Sequence, residues 1–285
     1  MLSLILLSAL LGSAQGEVET RPLDYVCPMD PDVRATAPGS CGRCGMKLVV
    51  GAINSIEYEV DLKLRPSAPR ADRPVELIFT VNEASTGKPV RDFEVLHERL
   101  FHLFVVSESL DFFLHEHPLL GPDHRFRFRA RLPKAGMYRL LCDFYPKGGS
   151  PQFLERTVVI PGAQGVFGTP RNLGSDLSEK SSVNMTVELA MQPGHPIAGM
   201  KALVFFRIKP ADGLEKYLGS WSHLLAVSDD LIDAMHAHPF LADGGPQVQF
   251  NLIFPRARTY RMWAQFQRQG VVNTVVFDVP VSELK

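Results

Sequence analysis

Residues 25–48, YVCPMDPDVRATAPGSCGRCGMKL, gather three of the four cysteines, Cys27, Cys41 and Cys44, with two methionines, Met29 and Met46. Thiolates and thioethers are soft donors, so the ion they favour is Cu(I) or one like it. Cys41-Gly-Arg-Cys44 followed by Gly45 has the spacing of a knuckle in which both sulfurs grip one ion. A zinc site would need a fourth strong ligand, for which Asp30 is the candidate. So short a segment has little core, so metal binding or a disulfide must supply its stability. A Cys41–Cys44 or Cys27–Cys44 disulfide is the competing reading, and it leaves an odd thiol over.

The second group of chemistry-bearing residues is a repeat. Residues 102–118 read HLFVVSESLDFFLHEHP and residues 223–239 read HLLAVSDDLIDAMHAHP, identical at eight of seventeen positions. The identities include every histidine of both copies: His102, His115 and His117, then His223, His236 and His238. On an extended chain, residues two apart point to one face with Cα atoms about 7 Å apart, which converging imidazoles can bridge to a metal. Glu116 then faces away, and its counterpart is Ala237. Three imidazoles suit Cu(II) or Zn(II). The competing reading makes His102 and His223 core-edge residues bonded to backbone, with HxHP bracing a turn. His97, His124 and His195 have no counterparts and are expected at the surface.

The elements that must position these residues are strands. EYEVDLKL, VELIFTV, HLFVV, RFRFRARL, YRLLCDF and LERTVVI are short, rich in β-branched and aromatic residues, and separated by turn residues. At most SESLDFFLH and SDDLIDAMH form a helical turn. The repeat continues downstream, AGMYRLLCDF (135–144) against ARTYRMWAQF (257–266), and loosely upstream, VELIFTV against ALVFFRI (202–208). About seven strands in each 100 residues predict a mainly β protein, with two immunoglobulin-like sandwiches at 56–161 and 183–282. The Gly/Ser/Pro-rich stretch 162–182 is the expected linker. Cys142, in an apolar strand and matched by Ala264, reads as a buried structural thiol.

The first 16 residues of the 285 carry an apolar run, Leu2–Leu11, too short to span a bilayer and followed by small residues. This is expected to be a signal peptide, with the mature chain starting near Glu17 and the cysteine segment occupying 17–52. The expected location is the periplasm or cell exterior, without membrane insertion after cleavage. Thirty basic and 31 acidic side chains are well mixed, giving a net charge of -1, which argues against a nucleic-acid partner.

The cysteine segment resembles the small heavy-metal-binding domain of copper-translocating P-type ATPases and metal efflux adaptor proteins. Tyr25, Cys27, Pro28, Met29 and Pro31, then Pro38, Gly39, Cys41, Cys44, Gly45, Met46 and Leu48 match its pattern. Asp30 stands where that family usually has histidine, and Gly42 where it often has proline. The resemblance implies metal-binding cysteines and a metal efflux or delivery partner. The repeats resemble domains of exported bacterial proteins that carry this knuckle, which implies no activity. A metal-binding protein for sequestration, delivery or resistance is therefore expected. The alternatives are a copper metalloenzyme using the HxH clusters and a structural interaction module. No acid/base carboxylate accompanies both histidine clusters, and no Gly-rich phosphate loop or GxSxG elbow is present.

Overall fold

Alternation decides which face of each strand is buried. In KALVFFRIK (201–209), every second side chain is buried and the others are more exposed, as a sheet with one face on a core requires. The computed structural model describes residues 25–27, 33–42, 45–50, 58–163 and 171–284. The signal-peptide segment, Met29, Asp30 and Cys44 lie outside the described residues.

Three short antiparallel strands, β1 (Tyr25–Val26), β2 (Arg34–Ala35) and β3 (Val49–Val50), form the amino-terminal sheet in the order β2-β1-β3. The first repeat contributes β4 (Tyr58–Arg65), β5 (Pro74–Glu83), β6 (Phe93–Glu94), β7 (Phe101–Ser107) and β8 (Phe113–Glu116). It continues with β9 (Leu119–Leu120), β10 (Phe126–Arg131), β11 (Gly136–Pro146) and β12 (Gln152–Ile160). One of its sheets has the order β4-β5-β10-β9, the other β12-β11-β7-β8 with β6 on β11.

The second repeat contributes β13 (Lys180–Ser181), β14 (Thr186–Gln192), β15 (Lys201–Lys209), β16 (Leu214–Glu215) and β17 (His223–Ser228). Then come β18 (Ala234–Ala237), β19 (Gln247–Ile253), β20 (Thr259–Arg268) and β21 (Val271–Pro280). Its sheets run β13-β14-β15-β19 and β16-β20-β17-β18, with β21 also on β20. The two repeats are thus immunoglobulin-like sandwiches of the same plan, as the strand pattern predicts. Each has its own core, one built around Phe79, Phe101, Phe126 and Phe144, the other around Phe206, Phe250, Phe266 and Phe277. Cys142 is fully buried in the first core and Ala264 in the second, and burial pushes the Cys142 thiol well above its usual range.

Both sandwiches carry a tyrosine corner. The Tyr138 hydroxyl accepts from the Lys134 N–H at 3.0 Å and donates to the Lys134 carbonyl at 2.9 Å. The Tyr260 hydroxyl likewise accepts from the Arg256 N–H at 3.2 Å, and its proton is shared between the Asp233 carboxylate at 2.8 Å and the Arg256 carbonyl at 3.2 Å. Such a corner ties the chain entering the strand to its start, a signature of this architecture.

Alternation fails in β7 and β17, where every residue is buried. One face of β7 (Phe101, Leu103, Val105) fills its own core. The other (Phe104, Val106) joins Leu110, Leu141, Leu225, Val227, Leu231 and Trp263 in a third apolar cluster between the repeats. Phe113 of one repeat stacks on Trp263 of the other, with ring centroids 5.2 Å apart. The two stretches with at most a helical turn in prospect, after β7 and β17, form tight turns at Leu110 and Leu231, both left-handed with φ of 58° and 60°. The Ser107 and Ser228 hydroxyls each accept a backbone N–H, from Phe112 and Asp233 respectively, which competes with helix formation. The strained leucines are buried in the cluster between repeats, and their carbonyls accept from Arg261 and Arg139 of the opposite repeat at 2.8 and 3.3 Å.

Tyr138→Phe and Tyr260→Phe each remove a buried hydroxyl that accepts a backbone N–H and donates, from Tyr138 to the Lys134 carbonyl and from Tyr260 chiefly to the Asp233 carboxylate. Each should cost about 1–2 kcal/mol in a urea titration, with the strand content unchanged by circular dichroism.

Candidate metal centre

The start of β7 is fixed by the tight hairpin turn before it. Leu96 and Arg99 exchange backbone hydrogen bonds of 2.7 and 3.0 Å around His97 and Glu98, both left-handed. In the second repeat, Tyr217 and Ser220 do so around Leu218 and Gly219, also left-handed. Two positive φ angles in a two-residue loop are what the right-handed strand twist demands. Each turn presents a carbonyl to the first histidine of its repeat. His102 Nε2 donates to Leu96 O at 2.8 Å, and His223 Nε2 to Tyr217 O at 2.9 Å. A carbonyl only accepts, so Nδ1 of both rings is a bare lone pair.

The second histidine of each triad is oriented from the opposite repeat. His115 Nδ1 lies 2.7 Å from Gln265 Oε1, and His236 Nδ1 lies 2.6 Å from Asp143 Oδ2. Gln265 keeps its oxygen toward the imidazole because its Nε2 donates to Thr274 Oγ1 at 3.1 Å. Both rings therefore donate through Nδ1 and turn Nε2 inward. Asp143 and Gln265 occupy equivalent strand positions, opposite His102 in β7 and His223 in β17.

The inward nitrogens converge. His102 Nδ1 is 3.2 Å from Nε2 of both His115 and His117. His223 Nδ1 is 3.4 Å from His236 Nε2 and 2.9 Å from His238 Nε2. Each triad can offer three nitrogens within 4.8 Å of one another. The lone pairs of His102 Nδ1 and His115 Nε2, facing across 3.2 Å with no proton between them, repel. A cation bound by both removes that repulsion, which is why these residues fit a metal ion. Burial, together with mutual repulsion among the imidazoles, lowers the His102 pKa to about 4 and that of His117 to about 3, with His115, His223 and His238 also well below the usual histidine value. His102, His115, His117, His223 and His238 are thus neutral at neutral pH, each ring keeping one nitrogen free of a proton.

His102 and His223 each bond to backbone through one ring nitrogen, as the core-edge reading expects, and face their triad through the other. His195 is exposed, and His124 is half-buried at a left-handed turn position. The expectation for His97 was wrong. Its ring stacks on His238 with centroids 3.7 Å apart, and its Nε2 is buried without a hydrogen-bond partner. His97 has no repeat partner because Leu218 stands in its place, so the repeat could not reveal it. Asp143 and Gln265 were also missed, their types differing between copies.

In the amino-terminal sheet, Cys27 and Cys41 are buried and Met46 is half-buried. The Cys41 N–H donates to Met46 O at 2.6 Å, and the Gly45 N–H to Cys41 O at 2.9 Å. Gly45 has a φ of 77°, which glycine adopts without strain, so the chain reverses directly beside the knuckle.

A two-repeat β-sandwich protein with inward-facing histidine triads and a cysteine-bearing leader sheet is the class these features define. The chain belongs to the family described as "Domain of unknown function (DUF8832)", whose model matches residues 54–161 and 180–283. The model of the heavy metal binding domain matches residues 25–49. No curated protein matches the chain. Among solved structures, it is similar to red sea bream transglutaminase (9% identity, TM-score 0.24, covering 81% of this chain and 32% of that one). It is also similar to the Yersinia pseudotuberculosis adhesin InvE (10%, TM-score 0.25, 77% and 58%). A third is a two-domain fibronectin type-III segment of chicken tenascin (12%, TM-score 0.23, 77% and 97%). The chain spans about a third of the transglutaminase and little over half of the adhesin, and nothing about its activity follows from them.

Because the triads exist only in the folded chain, added Zn(II) should raise the melting temperature. The expected stabilisation is about 2.7 kcal/mol at a free concentration one hundred times Kd. His102→Ala combined with His223→Ala should abolish the histidine-dependent part of this shift in a thermal melt.

Proposed function

We propose that this is an exported, non-enzymatic heavy-metal-binding protein, with copper as its ion, that sequesters the metal or hands it on. Cu(I) is held at Cys27, Cys41 and Cys44 with Met29 and Met46 alongside, and the histidine triads take a harder ion such as Cu(II) or Zn(II). What carries the reading is the conjunction of a heavy-metal-binding segment at 25–49 with six imidazoles in two converging triads. A soft and a hard donor set on one chain let it hold copper in either oxidation state, as a sequestering or relay protein must. A metal efflux or delivery protein is the natural recipient. A redox metalloenzyme is the second reading, favoured by ring contacts between the two triads.

Metal analysis of the purified protein under reducing conditions tests this. About one soft ion per chain should be lost in a Cys41→Ser, Cys44→Ser variant while the histidine-bound ion stays. Protein that takes up no metal at either set would instead be a structural module, and copper-dependent turnover abolished by His115→Ala would make it an enzyme.

A further inference from the structure

The six ligand imidazoles form one cluster. Within the triads, ring centroids lie 4.5–5.7 Å apart. Between triads the spacing is nearly the same: His102 is 6.2 Å from His223 and 5.9 Å from His236, and His115 is 5.6 and 6.2 Å from the same two rings. Ions held in both triads would therefore be neighbours within one cluster of imidazoles.

The two halves are not equivalent. The His236 ring donates to the Asp143 carboxylate, whereas the equivalent His115 ring donates to the neutral Gln265 amide. A carboxylate behind a histidine raises its basicity and places a formal negative charge next to the bound ion, which a neutral amide does not. His97 adds to the difference. It lies against His238, bringing a further imidazole with a buried, unpartnered Nε2 to that half, while the equivalent turn position of the second repeat is Leu218, which has no imidazole to offer.

We propose that the two triads form a single binuclear centre for divalent transition-metal ions, spanning the contact between the sandwiches. Its halves are unequal: His223, His236 and His238, backed by Asp143, fill first, and His102, His115 and His117, backed by Gln265, fill second. This rests on the histidines binding metal at all. Each ion is oriented by a residue of the repeat that does not ligate it, so loading either half fastens the two sandwiches together.

The test uses Cu(II) alone as the probe, on the full chain with Cys27, Cys41 and Cys44 changed to Ser so that only histidine sites remain. Calorimetric titration should show two binding steps. Electron paramagnetic resonance should show one isolated Cu(II) signal at one equivalent, then broadening or loss of signal at two, as neighbouring spins couple. Asp143→Asn should weaken the first step by about 10- to 100-fold and leave the second nearly unchanged. Gln265→Glu, which tests the same asymmetry should Asp143→Asn fail to fold, should tighten the second step toward the first. Two uncoupled signals at two equivalents, a single bound ion, or substitutions that move both steps alike would overturn the binuclear, unequal centre. A cysteine-free chain that binds no Cu(II) would instead overturn the histidine reading beneath it.

Discussion

Everything at the candidate centre depends on the packing of one sandwich against the other through the second faces of β7 and β17. A sheet strand ordinarily needs only one apolar face. Here the second faces, with Phe104, Val106, Leu225 and Val227, are buried in a cluster to which Leu110, Leu231 and Trp263 also belong. That burial excludes water from the adjoining histidines, and it brings Asp143 and Gln265 each to an imidazole of the opposite repeat. Separating the sandwiches would expose the apolar faces and disorient His115 and His236 together.

The pseudo-symmetry of this contact explains why similar features recur in pairs. Left-handed Leu110 and Leu231 each accept from an arginine of the other repeat. The turns at His97–Glu98 and Leu218–Gly219 come together, since a Cβ on Gly219 would lie 3.5 Å from the Glu98 carboxylate. A bulky residue at Gly219 would press on the opposite turn, and it would also have to adopt a φ of 73°. Such pairing is what a duplicated unit produces when its two copies pack through the same surface. Two departures from symmetry touch the histidines: Asp143 against Gln265, and His97 against Leu218.

The two donor sets achieve burial differently. The cysteine segment is a three-stranded sheet of two-residue strands with Cys27 and Cys41 buried, too small for apolar burial alone to stabilise. The histidines instead borrow their burial from two complete sandwich cores.

Much of this was legible in the sequence, and the reason is periodicity. Strand alternation and the internal repeat gave the two sandwiches, and the shared 17-residue pattern, four of its histidines in HxHP, picked out all six triad histidines because identity at a fixed offset needs no knowledge of the fold. The uninterrupted apolar runs HLFVV and HLLAV also carried a sign of burial on both faces. What tertiary structure alone decided was the meeting of the repeats: that two triads adjoin, that each is oriented by the opposite repeat, and that His97 joins them. Those relations run between residues such as His115 and Gln265, 150 positions apart, and Asp143 and His97 each differ in type from the residue at the equivalent position. Neither local spacing nor self-similarity records a contact of that kind, which arises only when two apolar faces exclude water between them.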